Sequence, residues 1–283
     1  MAIVGVGLIG GSVGLALVAR RLASEVIGIG RSAASLAEAK RAGAVTRTTL
    51  DLAAGVAEAE IVLVASGVGA IPGLLDAIDK AVRPGTLITD AGSTKASIVS
   101  AWEKRRRSRR GRFVGAHPIA GSHRRGPTAA TADLFDGRVA VVTPAATTPE
   151  ADIEEVAGFW ASLGANVVTM PPRDHDRMLA MTSHAPHLLA AAIAAATPAS
   201  ARQFTAGGWR DTTRIAAGDP GLWADILLDN AAGVASAVSR ITTVTEKMLS
   251  AIAKGDRRKL VALLQRAKDE RDALGKERDA LGS

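Results

Sequence analysis

The sequence predicts an α/β protein: a doubly wound, mostly parallel sheet followed by an all-α region. Three observations predict it. Short β-rich runs alternate with helical stretches through residue 170, the pattern of strands joined by crossover helices. A glycine triplet, Gly5-Val6-Gly7-Leu8-Ile9-Gly10, stands between the first strand and the first helix. After Pro171-Pro172 the chain becomes Ala- and Leu-rich, with no convincing strand. The expected division is 1–170 and 171–283.

Taken in order, residues 2–6 read as a strand and 9–21 as a helix. Residues 25–29 form a second strand. Residues 32–42 form a helix, with Ser32 placed to cap its N-terminus. Residues 60–65 are almost wholly apolar, as expected of a strand buried on both faces. Further strands are expected at 85–90, 111–116, 138–143 and 165–170. In the second half, 187–196 is an alanine-rich helix broken near Pro198, 222–252 reads as one long helix and 257–281 as another. Leu260, Leu263, Leu264 and Ala267 recur at helical spacing among charged residues. Such a stripe serves an intrachain core or an oligomer interface, and a homodimer is expected.

Composition narrows the chemistry. The chain has no cysteine, which removes disulfides, thiolate nucleophiles and Cys-ligated metals. It has no tyrosine, which removes a Tyr general acid. Aromatics are 3%, too few for a base-stacking platform. The net charge of +7 owes much to the run Lys104-Arg105-Arg106-Arg107-Ser108-Arg109-Arg110-Gly111-Arg112, which reads as a solvated helix end. No nucleic-acid module surrounds it, so no nucleic-acid partner is expected. Every apolar stretch long enough to span a membrane contains a charge or a breaker, and the apolar start lacks a basic region before it. Neither a membrane partner nor a signal peptide is expected, and a cytoplasmic location fits.

The triplet has the context of a dinucleotide-binding turn. Gly5 permits the tight turn, Gly7 lets the backbone approach a pyrophosphate, and Gly10 allows helix to pack on strand. The amides around Leu8 and Ile9 open the helix and face the phosphates. An acid at the end of the second strand would bind the ribose of NAD. Here Gly30-Arg31-Ser32 stands instead, which favours NADP. NAD stays acceptable if Arg31 stacks on adenine or points to solvent.

Polar residues gather at the same predicted sheet edge. Asp90-Ala91-Gly92-Ser93-Thr94-Lys95 follows one strand, with Asp90 suited to capping the next helix and Ser93 to a ligand hydrogen bond. His117-Pro118-Ile119-Ala120-Gly121-Ser122 follows the next. A neutral His117 imidazole can take a hydroxyl proton while hydride leaves the same carbon. The helical half adds Asp174-His175-Asp176, Ser183-His184-Ala185-Pro186-His187, Gly207-Gly208-Trp209-Arg210-Asp211-Thr212-Thr213-Arg214 and Asp219-Pro220-Gly221-Leu222-Trp223. His184 and His187, with Pro186 between them, make no clean ligand pair, and no metal is expected. Arg210 and Arg214 suit a bidentate grip on carboxylates, hence a small anionic substrate.

With these motifs assembled, the chain resembles the prephenate/arogenate dehydrogenase family nearly end to end. The resemblance runs through GVGLIGGSVGLAL, DAGSTK, GAHPIAGS, DLFDGRVAVVTP, SHAPHLLAAAI and GGWRDTTRIAAGDPGLW. It implies a Rossmann-type domain, a helical dimerisation domain, and oxidative decarboxylation of prephenate or arogenate on the route to tyrosine. By motif, it makes His117 the group that draws off the ring C4 hydroxyl proton and Ser93 the partner that orients His117 and the substrate. It makes Arg214 the principal carboxylate ligand. Arg210, His187 and Ser122 become pocket residues, and His175 and Trp223 supporting ones. The family usually has Glu after GAHPIAGS; here His123 stands there, followed by Arg124 and Arg125. That positive field suits prephenate, the more anionic substrate. A β-hydroxyacid dehydrogenase should show a catalytic Lys in a helix of the second domain, and Lys247 and Lys254 carry no motif around them. A non-catalytic NAD(P) sensor would have no need of both His117 and Arg214.

Overall fold

The computed structural model describes residues 1–104, 109–121 and 126–281. Ser122, His123, Arg124, Arg125 and residues 105–108 of the basic run lie outside the described residues. The chain forms two compact units, Met1–Gly233 and Val234–Ser283. The change of texture at 170–172 therefore falls inside the first unit.

Eight strands make the sheet: β1 (Ala2–Val4), β2 (Ile27–Ile29), β3 (Arg47–Thr49), β4 (Ile61–Val64), β5 (Leu87–Asp90), β6 (Arg112–Pro118), β7 (Val139–Thr143) and β8 (Asn166–Thr169), in the order β3-β2-β1-β4-β5-β6-β7-β8. All neighbours pair in parallel except β6 with β7. The helices are α1 (Leu8–Ala19), α2 (Ala33–Arg41), α3 (Leu52–Val56), α4 (Ile71–Ala81), α5 (Ala96–Lys104), α6 (Glu150–Ser162), α7 (Pro172–Leu179), α8 (Ala185–Ala196), α9 (Gly207–Thr213), α10 (Pro220–Asp229), α11 (Ala231–Ala253) and α12 (Arg257–Leu281).

Period-two alternation along the strands feeds two cores. Ile3, Leu63, Leu87 and Val114 join Val13, Leu17, Phe135 and Trp160 in one. Val4, Val62, Val64, Ile88 and Phe113 join Ile71, Leu75, Ile78 and Trp102 in the other. Both faces of the sheet are thus buried, as the apolar run at 60–65 requires.

The strand β3 was not expected. Its three residues, Arg-Thr-Thr, sit on the sheet edge with little burial, so no apolar pattern marks them. Ser32 caps α2 as expected, accepting Ser35 N–H at 3.3 Å. The single helix expected over 222–252 is two. It breaks at Asn230, whose amide is turned inward to donate to the Asp176 carbonyl at 2.7 Å. Helices α7 and α8 are joined by a π turn, Ala180–His184, making a continuous helical stretch Pro172–Ala196. That stretch has the length and apolarity of a membrane-crossing helix. Four of its polar residues, His175, Asp176, His184 and His187, are buried within the protein.

In the second unit, Val244, Leu249, Ile252, Val261 and Leu264 are exposed along α11 and α12.

Candidate active site

The strand order reverses between β1 and β4, and ligands of open α/β sheets bind at such a point. A cleft opens there. One part, about 390 Å³, is lined by residues including Gly7, Leu8, Ile9, Ser93, Gly121 and Trp223. A second part, about 820 Å³, is lined by Gly5, Gly30, Arg31 and Asp225 among others, and both parts share Ala65, Ser66 and Gly67.

The glycine turn fits a dinucleotide. Gly5 has φ +96°, and a Cβ there would strike the Ala65 carbonyl oxygen. A Cβ on Gly10 would strike the Gly5 carbonyl oxygen, so α1 packs tightly on β1. Nothing lies within 4 Å of the Cβ position of Gly7, and no side chain caps α1. The first-turn amides of α1 are therefore free to receive a pyrophosphate. Arg31 and Ser32 are exposed; the Ser32 hydroxyl is engaged in the α2 cap.

The seat of His117 is a network of buried side chains. Beyond Thr89, the last residue of β5 paired with β6, the ladder is continued by side chains. Asp90 Oδ1 accepts Ala116 N–H at 3.1 Å, and Lys95 Nζ donates to the Ala116 carbonyl at 2.8 Å. Lys95 also donates to Asp90, and both side chains are fully buried. Asp90 thus clamps the residue before His117, and the capping role expected of it falls elsewhere. The α5 N-terminus is served by Asp176, 80 residues away in sequence, whose two oxygens accept Lys95 N–H and Ala96 N–H at 2.8 Å each.

Asp176 Oδ1 also contacts His175 Nδ1 at 2.8 Å, and His175 Nε2 contacts His117 Nδ1 at 2.9 Å. His175 is fully buried. It contacts His117 and is not among the residues that line the cleft. Ser93 lines the cleft but makes no hydrogen bond to His117 among the described residues; the orienting contact comes from His175. Burial pushes the His117 imidazole well below its ordinary range, and the neighbouring His175, Lys95 and His184 push the same way. The neutral form of His117 is therefore favoured. Burial also raises the cost of charge on Asp176, but His175 and the two backbone amides outweigh it and hold the carboxyl below its usual range.

The remaining expected residues divide. His187 stacks on Trp223 with ring centroids 3.5 Å apart and planes 12° from parallel, and Trp223 lines the cleft. Burial lowers the His187 pKa. Arg210 and Arg214 are exposed, on α9 and the turn after it, and neither lines the described cleft.

Sequence reasoning missed Lys95, Asp176, Asn230 and Asp225. Asp176 was visible as the residue after His175. Lys95 stands in the DAGSTK motif beside its partner Asp90, but its burial carries no local signal; Asn230 and Asp225 meet segments distant in sequence.

Two family models match the chain: "Prephenate dehydrogenase, nucleotide-binding domain" over residues 13–169 and "Prephenate dehydrogenase, dimerization domain" over 171–266. Prephenate dehydrogenase of Bacillus subtilis is 33% identical over 95% of this chain and 74% of its own length. Cyclohexadienyl dehydrogenase of Zymomonas mobilis is 30% identical over 99% of this chain and 97% of its own. The crystal structure of A. aeolicus prephenate dehydrogenase with hydroxyphenyl propionate and NAD+ superposes with a TM-score of 0.88 at 27% identity, covering 96% of this chain and 97% of that one. With its nucleotide cleft and the histidine seated at the same sheet edge, the chain belongs to the prephenate dehydrogenase family.

Proposed function

We propose that this chain oxidatively decarboxylates prephenate, giving 4-hydroxyphenylpyruvate and carbon dioxide with reduction of a nicotinamide dinucleotide. The observation that carries this is His117: an imidazole whose neutral form is favoured, on β6 just before Ala120 and Gly121 of the cleft wall, with Nδ1 engaged by His175 and Nε2 without a hydrogen bond among the described residues. The cofactor, when bound, supplies the hydride acceptor. Gly5, Gly7, Leu8, Ile9 and Gly10 would hold it through backbone amides, with Arg31 beside the adenosine end.

His117 Nε2 accepts the proton of the substrate C4 hydroxyl as hydride leaves C4. The bond from the ring to its carboxylate breaks, its electron pair stays in the ring, and the ring becomes aromatic. The proton then returns to the phenolic oxygen. Aromatisation supplies the driving force, so the protein's work is to align C4 and polarise its hydroxyl. Ser93, on the cleft wall, orients the substrate. His187, stacked on Trp223, and Arg210 add polar groups to the pocket. Arg214, which has no ion-pair partner among the described residues, holds a substrate carboxylate.

We read the cofactor as NADP in preference to NAD. The second strand ends in Gly30-Arg31 with no acid, and an exposed guanidinium suits a 2′-phosphate. We read the substrate as prephenate over arogenate, from the charge that His123, Arg124 and Arg125 bring to the sequence where the family usually has Glu. The active form is read as a homodimer built on the helical region, which the dimerization-domain match and the exposed apolar residues of α11 and α12 support. One assay tests the enzymatic readings: reduced cofactor formed with prephenate and with arogenate, each with NAD and NADP. The expected order places prephenate with NADP first. Oxidation of neither substrate overturns the function, and a higher catalytic efficiency with arogenate overturns the specificity.

A further inference from the structure

We infer that Asp176 and His175 are positioning residues that decide which ring nitrogen of His117 is the base. This rests on the reading of His117 as that base. Asp176 stands at the N-terminus of α5 and accepts two backbone amides there, at 2.8 Å each. Those amides and the positive end of the helix favour its ionised form. An ionised carboxylate only accepts hydrogen bonds. The 2.8 Å contact to His175 Nδ1 therefore puts the proton of a neutral His175 on that nitrogen.

His175 Nε2 is then an acceptor, and the 2.9 Å contact to His117 puts the His117 proton on Nδ1. His117 Nε2 is left as the lone pair. Free imidazole prefers the opposite tautomer, so this is an imposed state. His175 is fully buried and Asp176 nearly so, which keeps water from competing for either contact.

The same line of groups matters when the proton arrives. The His117 imidazolium is faced by His175 from α7, by Lys95 from the loop before α5, paired there with Asp90, and by His184 from the π turn. The three basic neighbours oppose its charge. Asp176, at the far end of the His175 contact, opposes them. The device has the logic of a catalytic triad with a second imidazole inserted between the carboxylate and the base.

Asp176→Asn presents an amide in place of the acceptor. Where the amide N–H turns to His175, both tautomers reverse and His117 Nε2 carries a proton. Turnover should fall about 10²–10⁴-fold, with the Michaelis constant for substrate and the cofactor affinity little changed. The acid limb of kcat/KM should move to lower pH, because the imidazolium loses its only opposing carboxylate along this line. A merely structural defect would not move that limb. Because the variant disturbs the α5 cap and can fail to fold, the wild-type protein provides a second readout. The chain has five histidines, few enough to resolve their ring nitrogens by ¹⁵N NMR, with His117→Asn identifying the His117 signals. The expected spectrum shows His117 protonated on Nδ1 and bare on Nε2. The opposite tautomer overturns the proposal, as does unchanged turnover with an unchanged pH profile in a folded Asp176→Asn. Undiminished turnover in His117→Asn overturns the base assignment itself, a result distinct from the tautomer.

Discussion

The nucleotide cleft and the seat of His117 lie on one edge of one sheet, yet they are built by opposite means. The cleft is made of backbone and of missing side chains: a left-handed Gly5, a bare Gly10, an open space at Gly7. The glycine turn at its centre is held by contacts among residues a few positions from β1 and β4. The seat of His117 is made of side chains drawn from three stretches of the chain. Asp90 and Lys95 come from the end of β5 and the loop after it, His175 and Asp176 from α7, and Asn230 from the break between α10 and α11. A local turn needs only local sequence, whereas a buried polar network exists only once the fold has brought its members together.

That difference predicts where each region is fragile. A backbone site tolerates loss of any one side chain and fails when one is added. A buried network fails when one is removed. Lys95→Met removes a cation from a fully buried pair and leaves Asp90 charged among Gly92 and Ala116 amides. Breaking a buried pair from one side costs about 3–5 kcal/mol. The expected result is a loss of that size in urea unfolding, together with lower turnover as the Ala116 carbonyl loses its donor. The double variant Asp90→Asn/Lys95→Met, which removes both charges, should recover part of the stability. Equal stability in Lys95→Met and the wild type would mean that the pair adds nothing to the seat.

The network is also sensitive to acid in a way the cleft is not. Burial lowers the His184 pKa to about 4, with Asp176 opposing and His175 reinforcing the shift. In the unfolded chain a histidine titrates near 6.5. Between these values the unfolded state binds the extra proton, so stability is lost as pH falls from about 6.5 towards 4. The full effect approaches about 3 kcal/mol. Unfolding free energies measured across that window should decline, and His184→Asn, placed to keep the Asn230 contact, should flatten the decline. An unchanged slope in the variant would remove His184 as its source.

The same contrast explains what could be read in advance. The strand–helix alternation, the glycine turn, the Ser32 cap and the switch to helices after Pro172 are each written in contiguous residues. His117 was legible because it follows a strand at the ligand-binding edge. The edge strand β3 was not, since Arg47-Thr48-Thr49 pack too little to need an apolar pattern. The break at Asn230 was hidden because the apolar stripe on either side is continuous. Only the inward hydrogen bonds of Asn230 to the Asp176 carbonyl and to His184 explain it. Lys95 read as one more lysine at the end of a motif, because burial is a property of the fold.

Gly10→Ala tests the cleft side of the contrast with one methyl group. Its Cβ would run into the Gly5 carbonyl oxygen, with Ile3 Cγ2 at 3.0 Å and Ala65 Cβ at 3.2 Å. The first obstacle is backbone, in a turn that is itself held against Ala65, so the strain is relieved by moving α1 away from β1. Such overpacking costs about 1–3 kcal/mol, from which the better helix propensity of alanine returns up to about 1 kcal/mol. The net loss of stability is therefore smaller than for Lys95→Met. The larger consequence is at the phosphate-binding amides, which move with α1. The Michaelis constant for the dinucleotide should rise, while turnover at saturating cofactor stays close to that of the wild type, because no member of the His117 network touches Gly10. Titration calorimetry of cofactor binding and steady-state kinetics read the two effects separately. A Gly10→Ala protein that binds cofactor normally but turns over slowly would contradict the separation of the two regions.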